Sequence, residues 1–295
     1  MKFTISIFSG MPCTLFLLSA FLFVTHSAQA KIHLKVSATA QVQSSFAKWT
    51  AEKPFDQITN YSSPYANRAT VDLVLELQAL QAGGLDFDFE INIVPNNARA
   101  RLEVVQGNAD ITAETTWDSL IEVDKTALLR SESIIREGEF EKGLYVLPSN
   151  QAVLQVKTLD DLRQFVGIAV NSWDTDVKTL RAIKPKGLEL PSKNESVFGM
   201  IAKGRADFTL LELSSENDFG IELNGTRLVP IPGVKIALAG GSRSWIVAKT
   251  SPNAEAIYAA LVKGVKILRD EGRIARAFKE CGFFNTRAAN WKRLF

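Results

Sequence analysis

Cysteine and histidine are scarce in this sequence. Two of each occur in 295 residues, and beyond residue 30 only Cys281 and His33 remain. A single cysteine forms no internal disulfide, so the stability of the fold must come from packing. The same scarcity excludes a Cys/His zinc site and leaves only His33 for a Ser-His or Cys-His relay. Because His33 stands in the alternating stretch KIHLKVS, we interpret it as a strand residue, and we expect neither a metal nor a cofactor.

A surplus of charge is also absent. The 34 basic and 32 acidic side chains give a net charge of +2, which argues against a nucleic-acid surface or a polyacidic partner. Hydrophobic residues make up 46% of the chain and charged residues 22%, a composition typical of globular proteins. The length and the apolar content are sufficient for one large core or two medium ones.

The first thirty residues contain almost no charge. After Lys2 the next charged residue is Lys31, and the apolar block TLFLLSAFLFV lies between them. A basic start, an apolar middle and the small-x-small ending AQA are the parts of a secretory signal peptide, so we expect cleavage after Ala30. An uncleaved membrane anchor is the alternative, because residues 3–24 could just span a bilayer.

One short phrase occurs twice, as VVQGNADIT in residues 104–112 and as IAKGRADFT in residues 201–209. Around each copy the order is the same: strand end, proline, helix, glycine and new strand. With the strands and helices upstream, each half reads strand-helix-strand-helix-strand. This pattern predicts an α/β fold with two doubly wound lobes, each built on a parallel sheet.

The phrase itself fits a structural joint. A glycine such as Gly107 or Gly204 adopts the left-handed conformation in which a helix commonly ends. The aspartate that follows, Asp110 or Asp207, can accept hydrogen bonds from backbone amides at the turn. We therefore interpret these residues as architecture, and we expect ligand contacts just beyond them, where the new strands end.

Three helices receive specific predictions. Residues 70–84 are interpreted as an amphipathic helix that two glycines stop, and its inward residues are predicted to be Val71, Val74, Leu75 and Leu77. The helix before the first phrase is predicted to have Ala98, Leu102 and Val105 on its buried face. The helix before the second phrase should begin at the capping box Ser192-x-x-Glu195.

The segments outside the two halves are less regular. Residues 41–68 carry no clear pattern and stay unassigned. Residues 229–253 indicate strands, and residues 254–284 indicate an amphipathic helical region with a break near Gly272. Since these last elements have no counterpart after the first half, we expect the chain to return and complete the first lobe.

Polar side chains follow the predicted strands. Hydroxyls and a tryptophan come after the first phrase, a glutamate comes after the second, and the strand VGIAVNS ends before a helix whose backbone amides can hold an anion. Since ligands bind outside the carboxyl ends of parallel strands, these residues are the candidate site. They are Glu114, Thr115, Thr116, Trp117, Asn171, Ser172, Trp173 and Glu212. Each also has a local explanation, as Ser172 would have as a helix N-cap.

Four segments carry a family resemblance. They are VVQGNADIT, KTLDDLRQFVGIAVNSWDTDVKTL, IAKGRADFTLLE and LRDEGRIARAFKECGF, and their order resembles that of the family 3 extracellular solute-binding proteins, the type II periplasmic binding proteins of ABC transporters. The resemblance implies a first lobe of residues 31–146 plus 246–295 and a second lobe of residues 147–245. It also implies two hinge crossings, near Leu144–Ser149 and Ser242–Val247.

The resemblance also implies a function. A periplasmic monomer would capture a small polar or zwitterionic, amino-acid-like solute by hinge closure, pass it to a membrane permease and catalyse no reaction. Residues 171–173 correspond to the family's anion loop, and Glu212 corresponds to the acidic residue that meets a ligand amine. Residues 114–117 correspond to the first lobe's ligand contacts, and Tyr61 and Tyr65 to an aromatic wall.

One departure from the family concerns the ligand. Amino-acid binders of the family carry T-x-x-R after the first-lobe strand, and its arginine holds the ligand carboxylate. The corresponding stretch here, WDSLIEVDK, has no arginine, and Arg130 and Arg136 lie too far along the chain to be assigned. The departure therefore argues against an ordinary α-amino acid.

Two other functions stay open. An enzyme of the dehydratase or lyase kind on the same scaffold would use Glu114 or Glu212 as general acid or base. A sensory protein would present its ligand-bound surface to a membrane receptor instead of a permease. The sequence does not separate sensing from transport.

Overall fold

The two halves seen in the sequence form two sheets. The computed structural model describes residues 31–214 and 216–295, and residues 31–295 form one compact unit. The predicted signal peptide, residues 1–30, lies outside the described residues. Within the described ranges, no helix combines the length and the apolar character needed to cross a bilayer.

The helices and strands follow the predicted order in both halves. The first are β1 (Ile32–Thr39), α1 (Ala40–Glu52), α2 (Arg68–Ala82), β2 (Phe87–Val94), α3 (Asn97–Val105), β3 (Ile111–Thr112), β4 (Thr116–Trp117), α4 (Asp118–Val123), β5 (Leu128–Arg130) and β6 (Glu141–Val146). They continue with α5 (Gln151–Leu154), α6 (Leu159–Leu162), β7 (Val166–Ile168), α7 (Asp174–Ile183), β8 (Gly187–Glu189), α8 (Asn194–Ala202) and β9 (Phe208–Leu211). The last are β10 (Ile221–Leu223), β11 (Thr226–Pro230), β12 (Val234–Ala237), β13 (Arg243–Ser244), β14 (Ile246–Ala248), α9 (Ala254–Asp270), α10 (Arg273–Glu280) and β15 (Lys292–Arg293).

The two sheets share one strand order. The first sheet runs β2-β1-β3-β14-β5, and the main path of the second runs β8-β7-β9-β6-β11-β10. In each sheet the first three strands are parallel, and the fourth is antiparallel to its neighbour. The predicted α/β fold with two doubly wound halves is confirmed, because β2-β1-β3-β14 and β8-β7-β9-β6 are equivalent sets.

The repeated phrase is a structural joint in both halves. Its two glycines have φ of 76° and 66°, the left-handed conformation expected where a helix ends. Asp110 Oδ2 accepts a hydrogen bond of 2.8 Å from the backbone N–H of Lys35 in β1, and Asp207 Oδ2 accepts one of 2.8 Å from the backbone N–H of Val166 in β7. Each aspartate therefore ties the helix end to the first strand of its own half, across the sheet and not within the turn.

The helix α2 is buried on every side. The predicted helix and its end at Gly83 are confirmed, but all residues from Thr70 to Leu80 are buried, including Asp72 and Glu76, so its predicted amphipathic character is wrong. The cause is α9, which comes from the far end of the chain and packs so closely against α2 that the backbones of the two helices are in contact. A Cβ added to Gly264 in α9 would lie 1.7 Å from the carbonyl oxygen of Ala79.

Two other helix predictions also need correction. The buried face of α3 is formed by Ala100, Glu103 and Val104, whereas Leu102 is exposed, because α3 packs on β1 and β14 along that side. The helix α8 follows Lys193 as its N-cap, and no side chain caps it, so Ser192 does not form the predicted box. The previously unassigned segment supplies α1 and a short 3-10 helix, Phe55–Gln57.

The first passage of the chain between the sheets lies earlier in the sequence than predicted. The chain leaves the first sheet after β5 and enters the second at β6, so the predicted crossing at Leu144–Ser149 begins inside a strand of the second sheet. The return passes through β13, and the two connecting segments are joined where Arg243 and Ile135 exchange backbone hydrogen bonds of 2.8 and 3.3 Å. The terminal strand β15 pairs with β12, which belongs to the second sheet. The lobe boundaries at residues 146 and 245 stay a prediction.

Candidate functional site

Strand ends of the two sheets meet at Arg68. This residue begins α2, directly after Asn67, whose side chain caps the helix. The Arg68 Nη2 group donates to Glu114 Oε2 at 2.8 Å, and Glu114 follows β3 in the first sheet. The Nε group donates to Glu212 Oε1 at 2.8 Å, and Glu212 follows β9 in the second sheet. The structure thus brings together two of the candidate residues, through an arginine that sequence analysis did not select.

A third carboxylate completes the surroundings of Arg68. Its Nη1 group donates to Asp72 Oδ2 at 2.8 Å, one turn along α2. The same oxygen accepts hydrogen bonds from the backbone N–H and the hydroxyl of Thr115, at 3.1 and 2.9 Å. Arg68 is therefore paired with three carboxylates, and the candidate residue Thr115 is fixed against the same group.

The pKa values of two of these carboxylates move in opposite directions. Burial raises the pKa of Asp72, and Arg68 and Arg243 oppose that rise. Burial would also raise the pKa of Glu212, but the charges of Arg68, Lys142 and Arg243 outweigh it and hold the pKa of Glu212 below its usual range. Glu212 is also the more accessible of the two, with one-third of its side chain exposed.

A second guanidinium lies beside Arg68. Arg243 in β13 donates from Nε to the Thr115 hydroxyl at 2.9 Å and from Nη2 to the Thr115 carbonyl oxygen. Its Cζ atom is 4.8 Å from the Trp117 ring centre and 5.2 Å from that of Phe140, within the range of cation-π contacts. Burial and the charge of Arg68 lower the pKa of Arg243 to about 10, so the group is charged at neutral pH.

A lysine provides a third cation. Lys142 Nζ in β6 donates to Asp176 Oδ1 in α7 at 2.6 Å and lies 5.2 Å from the ring centre of Trp173. Burial raises the pKa of Asp176, and Lys142 opposes that rise. Trp173 is thereby part of the charged cluster.

The other predicted anion-loop residues do not join it. Asn171 is exposed and Ser172 is partly buried. Trp173, and not Ser172, holds the N-cap position of α7, and no side chain makes a cap hydrogen bond there. The role of residues 171–173 in binding an anion stays a prediction.

The tyrosines predicted as an aromatic wall lie elsewhere. Tyr61 is completely buried in the core, where its hydroxyl donates to Gln78 Oε1 at 2.7 Å and burial raises its pKa to about 12. A side chain without exposed surface offers no wall to a ligand, so that prediction is wrong for Tyr61. Tyr65 is partly buried and packs on the same core. The aromatic rings that flank the cations are Trp117, Phe140 and Trp173.

A depression lies beside this cluster at the carboxyl edge of the first sheet. It is shallow, with a cavity volume of about 20 Å³, and it is open to solvent. Ser37, Asn97 and residues 112–116 are among those that line it, so it includes the candidate residues Glu114, Thr115 and Thr116. No group of three or more side chains suited to hold a metal ion occurs in residues 31–214 and 216–295.

Sequence analysis missed the cations of the site. Arg68, Lys142 and Arg243 lie in three distant parts of the chain, and no motif joins them. One local signal was available, since Arg68 and Asp72 have the i, i+4 spacing of a helical ion pair.

Comparisons with known proteins give structural matches alone. No protein-family model matches the sequence. No curated protein matches it either.

Several solved structures share the fold. The extracellular-binding protein ytmK of Bacillus subtilis, described as a probable amino-acid ABC transporter component, aligns with a TM-score of 0.56 and 12% identity over 85% of this chain and 97% of its own. The Streptococcus pneumoniae amino acid ABC transporter substrate-binding protein AbpA, bound to L-arginine, aligns with a TM-score of 0.52 and 16% identity over 88% and 97%. The BvgS periplasmic domain of B. pertussis aligns with a TM-score of 0.52 and 15% identity over 84% of this chain and 42% of its own. The chain therefore has the two-lobed α/β fold of amino-acid ABC transporter substrate-binding proteins.

Proposed function

We propose that this protein captures a small polar or zwitterionic solute between its two sheets and delivers it to a membrane permease. The observation that carries the proposal is the meeting of Glu114 and Glu212 at Arg68, since these carboxylates follow strands of different sheets. In open α/β sheets, ligands bind outside the carboxyl ends of the strands. A site formed by both halves also responds to hinge closure, because its two sides move together.

The composition of the site supports a polar ligand. Three buried cations, four carboxylates and three aromatic rings form its charged part, and hydroxyls line the adjoining depression. The signal peptide proposed for residues 1–30 would deliver the protein to the periplasm.

The ion pair between Arg68 and Glu212 joins the two halves of the site in the absence of a ligand. Its atoms come from α2 and from the end of β9, so it links the two sheets directly. A bound cation would compete with Arg68 for Glu212, whose side chain is the most exposed of the three carboxylates. We therefore propose Glu212 as the group that meets a ligand amine.

Ligand-dependent stabilisation tests the proposal. The full chain is exported in a bacterial host, the secreted protein is purified, and native mass spectrometry records any small molecule that it retains. Thermal unfolding is then followed with amino acids, amines, organic acids and short peptides. A solute at one hundred times its Kd stabilises the folded protein by about 2.7 kcal/mol. An unchanged Tm across all four classes, with no retained molecule, contradicts the proposal.

A sensory role is the second candidate, because the BvgS periplasmic domain shares the fold. Crosslinking of the exported protein in membranes, with and without ligand, distinguishes a permease partner from a receptor partner. An enzyme on this scaffold would convert the retained molecule, and Glu212→Gln would abolish turnover while binding survives. Binding without turnover favours the transport or sensory role.

A further inference from the structure

Arg243 is a buried cation without a carboxylate partner. It is 7% exposed, and the other buried basic side chains of the described chain are Arg68, Lys142 and Lys235. Each of those three has a carboxylate oxygen within 2.8 Å. Arg243 has none within 4.0 Å among residues 31–214 and 216–295. Buried charges in proteins are normally paired, so this one stands apart.

The guanidinium of Arg243 is held in place but is not saturated. Its Nε and Nη2 groups donate to the hydroxyl and carbonyl oxygens of Thr115, and the described residues offer no acceptor to Nη1. The rings of Trp117 and Phe140 lie 4.8 and 5.2 Å from its Cζ atom. Aromatic rings attract a cation but accept no strong hydrogen bond, so donor capacity remains.

The carboxylates nearby are already engaged. Asp72, Glu114 and Glu212 each accept a hydrogen bond from Arg68, and they act on Arg243 only through their longer-range field. The two arginines therefore differ in kind. Arg68 is hydrogen-bonded to three carboxylates, whereas Arg243 makes no hydrogen bond to a carboxylate of the described residues.

The position of Arg243 suits a ligand contact. In the pairing of β13 with β4, Arg243 lies opposite Trp117, and Ser244 lies opposite Thr116. The backbone of Arg243 also bonds to Ile135 at the point where the two connecting segments meet. An anion held there would touch the candidate site of the first sheet and the hinge at once.

We infer that Arg243 is the anion-binding group of the site and that it receives the carboxylate of the captured solute. The planar guanidinium matches a carboxylate with two parallel donors, and its contacts with Thr115 and Trp117 fix the plane in advance. This inference rests on the proposed function and narrows it to solutes that carry a carboxylate. Arg243 lies in β13, on the segment that returns to the first sheet, and it would replace the arginine that the stretch after β4 lacks.

Matched acids and amides test the inference. The probes are the twenty amino acids and succinate, each compared with the primary amide of the same compound, and binding to the exported wild-type protein is measured by calorimetry. We expect at least one acid to bind ten or more times more tightly than its amide. Arg243→Gln should remove that difference, with weaker binding of the acid and unchanged binding of the amide. Arg243→Lys keeps the charge without the planar fork, so it should retain part of the difference.

The control variant is Arg130→Gln, because Arg130 is an exposed arginine of β5 whose side chain is 56% accessible. It should bind acids and amides as the wild type does. Equal affinity of wild-type protein for acid and amide overturns the inference and leaves the proposed function standing. The acid/amide difference surviving in Arg243→Gln also overturns it. If Arg243→Gln does not fold, the wild-type comparison and Arg243→Lys decide. If no probe binds to wild-type protein, the inference fails, and the proposed function is decided by the wider set of solutes in the unfolding test.

Discussion

Replacing Glu76 by glutamine should make the protein less sensitive to rising pH. Glu76 is completely buried in α2, and neither of its carboxylate oxygens has a hydrogen-bond partner in the described chain. Burial raises the pKa of Glu76 well above its ordinary value of 4.5, and the carboxylate of Asp72 one turn earlier adds to the rise. The folded protein therefore keeps a proton on Glu76 that the unfolded chain releases above pH 4.5.

The sign and size of the effect follow from proton linkage. Between pH 4.5 and the folded pKa of Glu76, the folded state binds more protons than the unfolded state. The stability contributed by Glu76 is therefore complete below pH 4.5 and declines as the pH rises towards the folded pKa. One proton of difference corresponds to about 1.4 kcal/mol per pH unit. Glutamine has no proton to lose, so the variant should gain up to about 1.4 kcal/mol relative to wild type for each pH unit between pH 5 and the folded pKa of Glu76. At about 2–4 °C per kcal/mol, the relative gain in Tm is about 3–6 °C per pH unit.

Thermal and urea unfolding at pH 5, 6 and 7 and constant ionic strength measure this difference. Glu255→Gln is the matched control, because Glu255 is an exposed glutamate of the helix α9. The control should follow the wild-type pH dependence, since it removes a group in contact with water. A parallel pH dependence for Glu76→Gln and wild type would show that Glu76 is ionised in the folded protein, and the reasoning would be refuted.

Three further substitutions test other parts of the structure. Asp207→Ala removes the acceptor of a strand amide and should lower the free energy of unfolding by about 1.5–3 kcal/mol in urea titrations, with a smaller loss for Asp110→Ala because water reaches that bond more easily. Gly240→Ala would bring a Cβ within 2.6 Å of the Trp117 ring, so it should destabilise by about 1–3 kcal/mol, whereas an unchanged midpoint would mean that the indole moves freely. Arg68→Met removes the cation that is hydrogen-bonded to three carboxylates and should cost about 3–5 kcal/mol at pH 7, a loss that shrinks as the pH falls and the carboxylates take up protons. A loss independent of pH would indicate a packing effect instead.

The repeated joint was predictable because its determinants are local. A helix that ends and turns into a strand needs a residue that accepts positive φ, and glycine accepts it without steric cost. The aspartate three residues after each glycine reaches the neighbouring strand from a position that the turn fixes, as the equal 2.8 Å bonds of Asp110 and Asp207 show. Finding the joint twice was therefore enough to predict two equivalent halves and the strand ends of each.

The burial of α2 was not predictable in the same way. A helix sequence shows which faces are apolar, but it does not show how many partners the rest of the chain will supply. The predicted inward residues, such as Val71 and Leu75, are indeed buried. The opposite face is buried as well, because α9 returns from the end of the chain and replaces solvent with a second helix.

The failure at α2 and the failure to find the site have one physical cause. Arg68 and Asp72 form an i, i+4 pair, a spacing that is typical of ion pairs on the solvated face of a helix. On a solvated face such a pair contributes little and attracts no further groups. Once the whole helix is buried, Arg68 must be neutralised by carboxylates from elsewhere, and Glu114 and Glu212 take that role from two different sheets. The burial of Arg68 and its pairing with carboxylates from both sheets therefore go together, and neither follows from the helical spacing of Arg68 and Asp72 alone.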